Sequence, residues 1–469
     1  MEQSLNKAGN LGELKRSGYQ VKDARLEMRA NLLGRLKNKE RILPGIVGYD
    51  GSVVPEIENG VLAGHHMVFL GERGQAKSRI IRSLVKLLDE FVPAVKGCEI
   101  NDNPFAPICQ RCRRELAEKG DGLEIEWIGR ERRYAEKLAT PDVSVADLIG
   151  EIDPIKVAEG RYLADEETIH YGLIPRTNRG IFAINELPDL TEKVQVGLFN
   201  LMEEKDVQIK GYRVRLPLDI VFVASANPED YTSRGRIITP LKDRFDIQIR
   251  THYPRTLEDE IAIMEQECSY PPRADMQLRV PQFMKEIVAQ ITFEARASNE
   301  INQNSGVSVR VTINNFESAI SNAEKRAIRN GENEIVPRLS DLHSLYASTA
   351  GKIELEYVGE DKKGEDLIER LINRAVLKVF DRVLKVEDLK RVIGYFEQGW
   401  GVEVSDSSPA SEYVEPLREI PDLRETIEKL GAFESPGLMA AASELVFEGL
   451  HLHQKLNKDR QGGRFAYHA

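Results

Sequence analysis

The chain has 469 residues, 41% of them apolar and 30% charged, enough for about two to four domains with packed cores and a solvated surface. A formal net charge of −11 argues against a dedicated nucleic-acid binder, and the basic run at 130–133 (RERR) reads as a solvated face or a partner contact. With no apolar run of about eighteen residues, no basic-then-apolar leader and only 4 cysteines, a soluble protein of the reducing cytoplasm, off the membrane, is expected.

Residues 1–45 mix charges and carry a helical pattern through Leu26, Met28, Leu32, Leu33 and Leu36, an N-terminal helical extension. Residues 61–71 (VLAGHHMVFLG) lead into a buried strand, with His65 and His66 at its edge. From Lys77 onward Ile80, Ile81, Leu84, Val85 and Leu88 recur at helical spacing, so the first clear unit is strand, loop, helix. The runs at 181–184 (IFAI) and 220–224 (IVFVA) are continuous rather than alternating, as strands of a parallel sheet covered on both faces should be. Between them Asp189 and Glu192 form a capping-box pattern opening a helix through Val196, Phe199 and Met202. Residues 207–216 (VQIKGYRVRL) alternate around Lys210-Gly211 as a hairpin.

Beyond Pro254 the chain turns helical and charged, with patterned segments through Leu367, Ile368, Leu371, Ile372 and Val376, and through Leu389, Val392, Ile393 and Phe396. Residues 404–415 (VSDSSPASEYVE) read as a linker or exposed loop. A last helix is expected over roughly 438–456, followed by a tail (459–469) polar enough to fray when alone.

The segment at 71–78 (GERGQAKS) carries the strongest chemistry. A strand ending in a loop whose backbone N–H groups at Gly71, Gly74 and Ala76 wrap phosphate, then entering a helix, makes an anion site. Lys77 would reach the β- and γ-phosphates of ATP and the Ser78 hydroxyl would bind magnesium. Ala76 stands where glycine is usual, so a plain strand-turn-helix is the alternative. Glu186, at the carboxyl end of the second buried strand, is placed to polarise an attacking water, or else to cap the next helix. Asn227, after the third strand, could hold the same water or merely open an Asn-Pro turn. Cys98, Cys109 and Cys112, with a true C-x-x-C, offer three tetrahedral positions for zinc in an insertion at about 95–125. A fourth ligand would have to be Asp102 or a distant residue such as Cys268; the alternative is unligated thiols. His451 and His453, two apart on a helix, point to different faces.

Six blocks then occur in one order: IVGYDG (46–51), GERGQAKS (71–78), LIGEID (148–153), NRGIFAINELPDL (178–190), VFVASANPED (221–230) and LKDRFD (241–246). This set resembles the magnesium-chelatase ATPase subunit and the related MoxR-type AAA+ proteins, well over 46–254 and more loosely over 257–350. The resemblance implies an α/β fold: a P-loop AAA+ core with a parallel sheet over 46–255, a helical lid over 256–350 and a helical C-terminal region over 351–469. It implies that Arg244 is an arginine finger reaching a neighbouring subunit's ATP, and that Arg310, closing SGVSVR (305–310), is the second sensor. It also makes the 207–216 hairpin and the 149–171 region clade insertions that face partners or a ring pore. In that family an Asp precedes the catalytic Glu; Asn185 here keeps a hydrogen bond but loses a negative charge, so weaker magnesium binding and slow turnover are expected.

The implied function is an ATP-hydrolysing remodeller acting as a homo-oligomeric, hexameric ring on a protein partner. That partner would be a separate protein with a von Willebrand A-type domain, since Asp406-Ser407-Ser408 lacks the D-x-S-x-S order. Alternatives are a nucleotide-gated scaffold with little turnover and a true tetrapyrrole metal-chelatase subunit. An enhancer-binding activator would need a GAFTGA loop, which the chain lacks.

Overall fold

The computed structural model describes the chain except for residues 1–7, 154, 156–167, 204–205, 210–211, 229–235, 272, 304, 355–360, 414–418, 421, 432–434 and 462–463. It divides into two compact units, 1–252 and 253–469. Among the described residues no helix is long and apolar enough to cross a membrane.

The first unit is built on five parallel strands: β1 (Met67–Leu70), β2 (Tyr134–Leu138), β3 (Gly180–Asn185), β4 (Ile220–Ala226) and β5 (Ile247–Arg250), in the order β5-β1-β4-β3-β2. The central strands β1 and β4 are buried along their whole length, and β3 is buried up to Ile184, as their continuous apolar runs demand. The flanking strands β2 and β5 are half-exposed and carry no such run, so sequence periodicity did not reveal them. Parallel register sets Leu70 beside Ala226, Ala224 beside Ile184, and Asn185 beside Leu138. The carboxyl ends of β1, β3 and β4 therefore lie along one edge of the sheet.

Helix α1 (Ala24–Lys37) begins where the Asp23 side chain accepts from the Leu26 N–H. Its buried face is Ala24, Glu27, Met28 and Leu32, whereas Leu26, Leu33 and Leu36 of the sequence-derived stripe are exposed. Glu27 explains the shift, because its carboxylate pairs with Arg133 at 2.6 Å, both side chains nearly fully buried. The RERR run is therefore not merely a solvated face: Arg133 also donates to the Arg179 carbonyl at 2.6 Å, beneath the start of β3. Gly180 is required there, since a Cβ would collide with the Arg133 backbone.

The helix after β3 spans Glu192–Glu203 and buries Val194, Leu198 and Leu201, while Val196 is exposed. The apolar residues form two overlapping stripes, and packing selects the other one. The hairpin strands Asp206–Ile209 and Tyr212–Arg215 pair as expected; the Lys210-Gly211 turn lies outside the described residues. Of the 149–171 region, Gly150–Ile152 pairs with Ile169–Tyr171, and most of the intervening chain lies outside the described residues.

The second unit packs helices Leu257–Glu267, Gln282–Ala297, Arg310–Asn330, Asp361–Val383 and Pro436–Leu452 into one apolar core running from Leu257 to Tyr467. Two sequence expectations fail here. Val402–Ser405, Asn457–Gln461 and Arg464–His468 form a three-stranded antiparallel sheet, so the chain near 404 and the tail are not free. Ala410, Tyr413 and Tyr467 are buried, and the Tyr413 hydroxyl donates to Glu444 at 2.6 Å. A polar tail is ordered by pairing it could not find alone.

Candidate functional site

After β1 the chain turns through residues 71–76 into helix α2 (Lys77–Ser83). Gly74 (φ 79°) and Ala76 (φ 57°) take left-handed backbone, the kind of turn that aims successive N–H groups at one anion. Glycine adopts this freely; the Ala76 methyl costs about 1–2 kcal/mol. The departure noted in the sequence thus carries strain as well as bulk.

Side chains the motif does not name brace the loop. Gln75 Oε1 accepts from the Thr251 hydroxyl at 2.7 Å and from the Glu72 N–H at 3.1 Å, fastening the loop to the end of β5. The Tyr49 hydroxyl lies 2.9 Å from the Gln75 carbonyl and 2.7 Å from that of His252. Burial pushes this phenol up to about 12, so it stays neutral. A side chain on Gly71 would occupy the space of Thr251 and Gln75.

Lys77 is buried, and its ammonium donates to the carbonyls of Gly71 and Glu72 (2.9 Å) and to Asn227 Oδ1 at 2.8 Å. Lys77 and Asn227 are 150 residues apart in sequence. Ser78 follows in the first turn of α2. Glu186 takes left-handed backbone (φ 54°) directly after β3, with its N–H donating to the Ser225 hydroxyl at 3.3 Å. Gly71, Glu186 and Asn227 thus stand one or two residues past paired strand ends, along the edge where open α/β sheets bind ligands.

Asn185 sits in a network that sequence reading missed. Its amide donates to Glu136 on β2 and its oxygen accepts from the Ser225 hydroxyl at 3.1 Å. The Glu136 carboxylate also takes the Arg82 fork at 2.7 and 2.9 Å and the Tyr134 hydroxyl at 2.9 Å. Burial pushes the Glu136 carboxyl up, but the bonds from Arg82, Tyr134 and Asn185 outweigh it and hold it below its usual range. Arg82 lies one helical turn beyond Ser78, a spacing that could have flagged it. Nothing local marks Glu136.

Arg244 is ion-paired with Glu203 at 2.5 Å and with Asp243 at 3.5 Å, its guanidinium over the Phe199 ring. Asp246, two residues on, accepts from the His66 backbone N–H at 2.7 Å. Arg310 opens the Arg310–Asn330 helix of the second unit and is exposed. Cys98, Cys109 and Cys112 are buried free thiols, and Asp102 lies with them: the four ligand atoms are all within 4.8 Å of one another. Cys268 is half-exposed in the second unit.

No protein-family model matches the chain. It is 28% identical over 230 residues to the magnesium-chelatase 38 kDa subunit of Cereibacter sphaeroides, covering 46% of this chain and 59% of that protein. It is 28% identical over 208 residues to the magnesium-chelatase subunit ChlI of Anabaena variabilis, covering 44% of this chain and 57% of that one. The chain thus spans under three-fifths of the length of these relatives. A solved magnesium-chelatase complex of subunits BchI and BchD overlaps at TM-score 0.34 and 18% identity, over 69% of this chain and 98% of that one, too loosely to support an argument. The ordered motifs and the shared sequence make this chain similar to magnesium-chelatase subunits over stretches of 208 to 230 residues, and its β5-β1-β4-β3-β2 parallel sheet is the α/β core that the resemblance led one to expect.

Proposed function

We infer that the chain binds ATP with magnesium in the loop at 71–78, hydrolyses it slowly, and works as a ring of copies on a separate protein partner. The observation that carries this reading is the Lys77 ammonium, buried against two loop carbonyls and Asn227. Phosphate oxygens would carry more negative charge than the two carbonyls and the amide oxygen that this ammonium meets here, a gain in charge pairing. The loop fits that ligand, with left-handed residues at 74 and 76 and a glycine at 71 where no side chain has room.

Ser78 would hold magnesium, which neutralises charge developing on the phosphates. Glu186 would orient and deprotonate the attacking water, with Asn227 as its second hydrogen-bond partner. Arg244 would leave Glu203 to reach the nucleotide of a neighbouring copy, and Arg310 would sense the same phosphates from the lid. The family resemblance supports a hexamer and a von Willebrand A-type partner, and the relatives are themselves named as subunits.

A second reading, a nucleotide-gated scaffold with little turnover, is favoured by one observation: the Asn185 amide is already engaged by Glu136 and Ser225. ATP binding and steady-state turnover, measured on the full chain beside Lys77→Ala and Glu186→Gln, decide between them. Turnover that requires both residues supports the motor. Binding that requires Lys77, without turnover, supports the scaffold. No ATP binding would overturn both.

A further inference from the structure

The helix at Gln110–Lys119 lacks the usual reason to stay docked. It is polar on nearly every side, and its single buried residue is Cys112. A surface helix normally holds its place with an apolar stripe several side chains wide. Here the contact with the interior is the Cys112 thiol with the half-buried Leu116 one turn on, and Cys109 caps the helix start.

Around that thiol the chain is already folded as a ligand set. The Cys112 N–H donates to Cys109 Sγ at 3.4 Å, and the Asp102 N–H donates to Cys98 Sγ at 3.4 Å. Both sulfurs are thus aimed by backbone. Asp102 is fully buried, and its carboxylate is oriented by the N–H groups of Ile108 (3.1 Å) and Cys109 (3.0 Å). Arg111 reaches Cys112 Sγ at 3.8 Å. Arg132 donates to the Cys98 carbonyl at 3.4 Å. Arg111, which also pairs with Glu115 at 3.7 Å, puts one guanidinium beside the sulfurs, while Arg132 meets the site through the site's backbone and pairs with Glu126 at 3.3 Å.

We propose that Cys98, Asp102, Cys109 and Cys112 form a closed, structural zinc site that folds this insertion on itself, holding the helix at 110–119 to the turn that follows the strand Phe91–Val95. Three soft thiolates and one carboxylate suit zinc, and four protein ligands leave no open position for catalysis. Zinc–sulfur bonds of about 2.3 Å in a tetrahedron put ligand atoms roughly 3.8 Å apart. The present spread, within 4.8 Å, closes onto an ion with small side-chain shifts. Binding releases the thiol protons to solvent and involves no redox step. The site joins the strand Phe91–Val95 to the helix at 110–119, while Asn101 and Asn178 tie the same loop to the segment before β3 by bonds to the Arg176 and Ile100 carbonyls.

Metal content of the full chain, purified without chelator, tests this independently of ATP turnover. One zinc per chain is expected, lost in Cys109→Ser/Cys112→Ser. Zinc should also shield three of the four cysteines from alkylation in the unaltered chain, leaving Cys268 reactive. Cobalt in place of zinc should give thiolate charge-transfer bands and the intense visible bands of a tetrahedral ion. Asp102→Asn should shift those bands and speed metal release to a chelating dye by about tenfold or more. The proposal is overturned by less than a tenth of a zinc per chain after incubation with zinc. It is equally overturned by zinc indifferent to the cysteine substitutions, by iron with labile sulfide, or by a disulfide among the three thiols. Cobalt bands unchanged in Asp102→Asn would remove Asp102 from the ligand set and overturn the site as stated.

Discussion

The two sides of the nucleotide site are built on different terms. On the loop side, Lys77 donates to Asn227 and Gln75 accepts from Thr251, so the loop is braced from both sides. On the strand-end side, Asn185 stands where the resemblance led one to expect a carboxylate, and it donates to a carboxylate from the next strand, Glu136. The negative charge missing at 185 is present one strand over, but Arg82 already neutralises it. A motif comparison sees a lost charge; the fold shows a charge relocated and paired.

The largest effect should come from the loop side. Lys77→Ala removes the buried cation and should weaken ATP binding at least about a hundredfold, since charge-assisted bonds are worth about 1.5–3 kcal/mol each. Calorimetric affinity within tenfold of the parent chain would mean the cradle does not hold phosphate.

Below the loop lies a pH-sensitive support. The His66 ring faces the Phe222 N–H at 3.0 Å and the Arg25 guanidinium at 2.8 Å, with Asp246 and His65 nearby. Burial, then Arg25, pull its pKa down to about 4. The unfolded chain, near 6.5, binds this proton first, so stability falls as pH drops from about 6.5 toward 4, by about 3 kcal/mol in all. Asp219, raised by burial, works in the opposite sense, and Glu136, held low, stays charged through most of that window. Thermal unfolding followed from pH 7 to about 4.5 should lose this slope in His66→Gln; an unchanged slope would assign it elsewhere.

The strand-end side makes the sharper test. Asn185→Asp alone sets two carboxylates against each other where a hydrogen bond now stands, so little gain in turnover is expected, with a modest loss of stability. The double variant Asn185→Asp/Glu136→Gln restores one carboxylate and one amide in swapped positions, and should turn over about threefold to tenfold faster than Asn185→Asp. Coupling of about 1 kcal/mol or more in this cycle is the expected outcome. Strict additivity would show that Glu136 does not answer for Asn185.

The smallest effect belongs to the loop itself. Ala76→Gly relieves the left-handed methyl and should raise stability by about 0.5–1 kcal/mol, read as a higher unfolding midpoint. A drop in midpoint would mean the alanine makes contacts worth more than its strain.

What could be read from the chain alone was local or continuous. The loop at 71–78 is one uninterrupted segment; β1, β3 and β4 are apolar runs covered on both faces; and ordered blocks carry a family resemblance without contact information. The failures share one cause. Glu136 and Asn185 meet because parallel register sets Leu138 beside Asn185, and β2 carries no periodicity to announce it. Glu27 and Arg133 meet 106 residues apart, which draws one residue of a basic run into a buried ion pair while Glu131 and Arg132 stay exposed. The two strands of the polar tail pair with each other, and the second of them pairs with Val402–Ser405, a partner more than fifty residues away that the tail's own sequence does not announce. Side-chain chemistry and spacing along the backbone are written in the residues themselves. Which charge ends up beside which is decided by strand order and register, because desolvating a charged group is tolerable only where the fold delivers its partner.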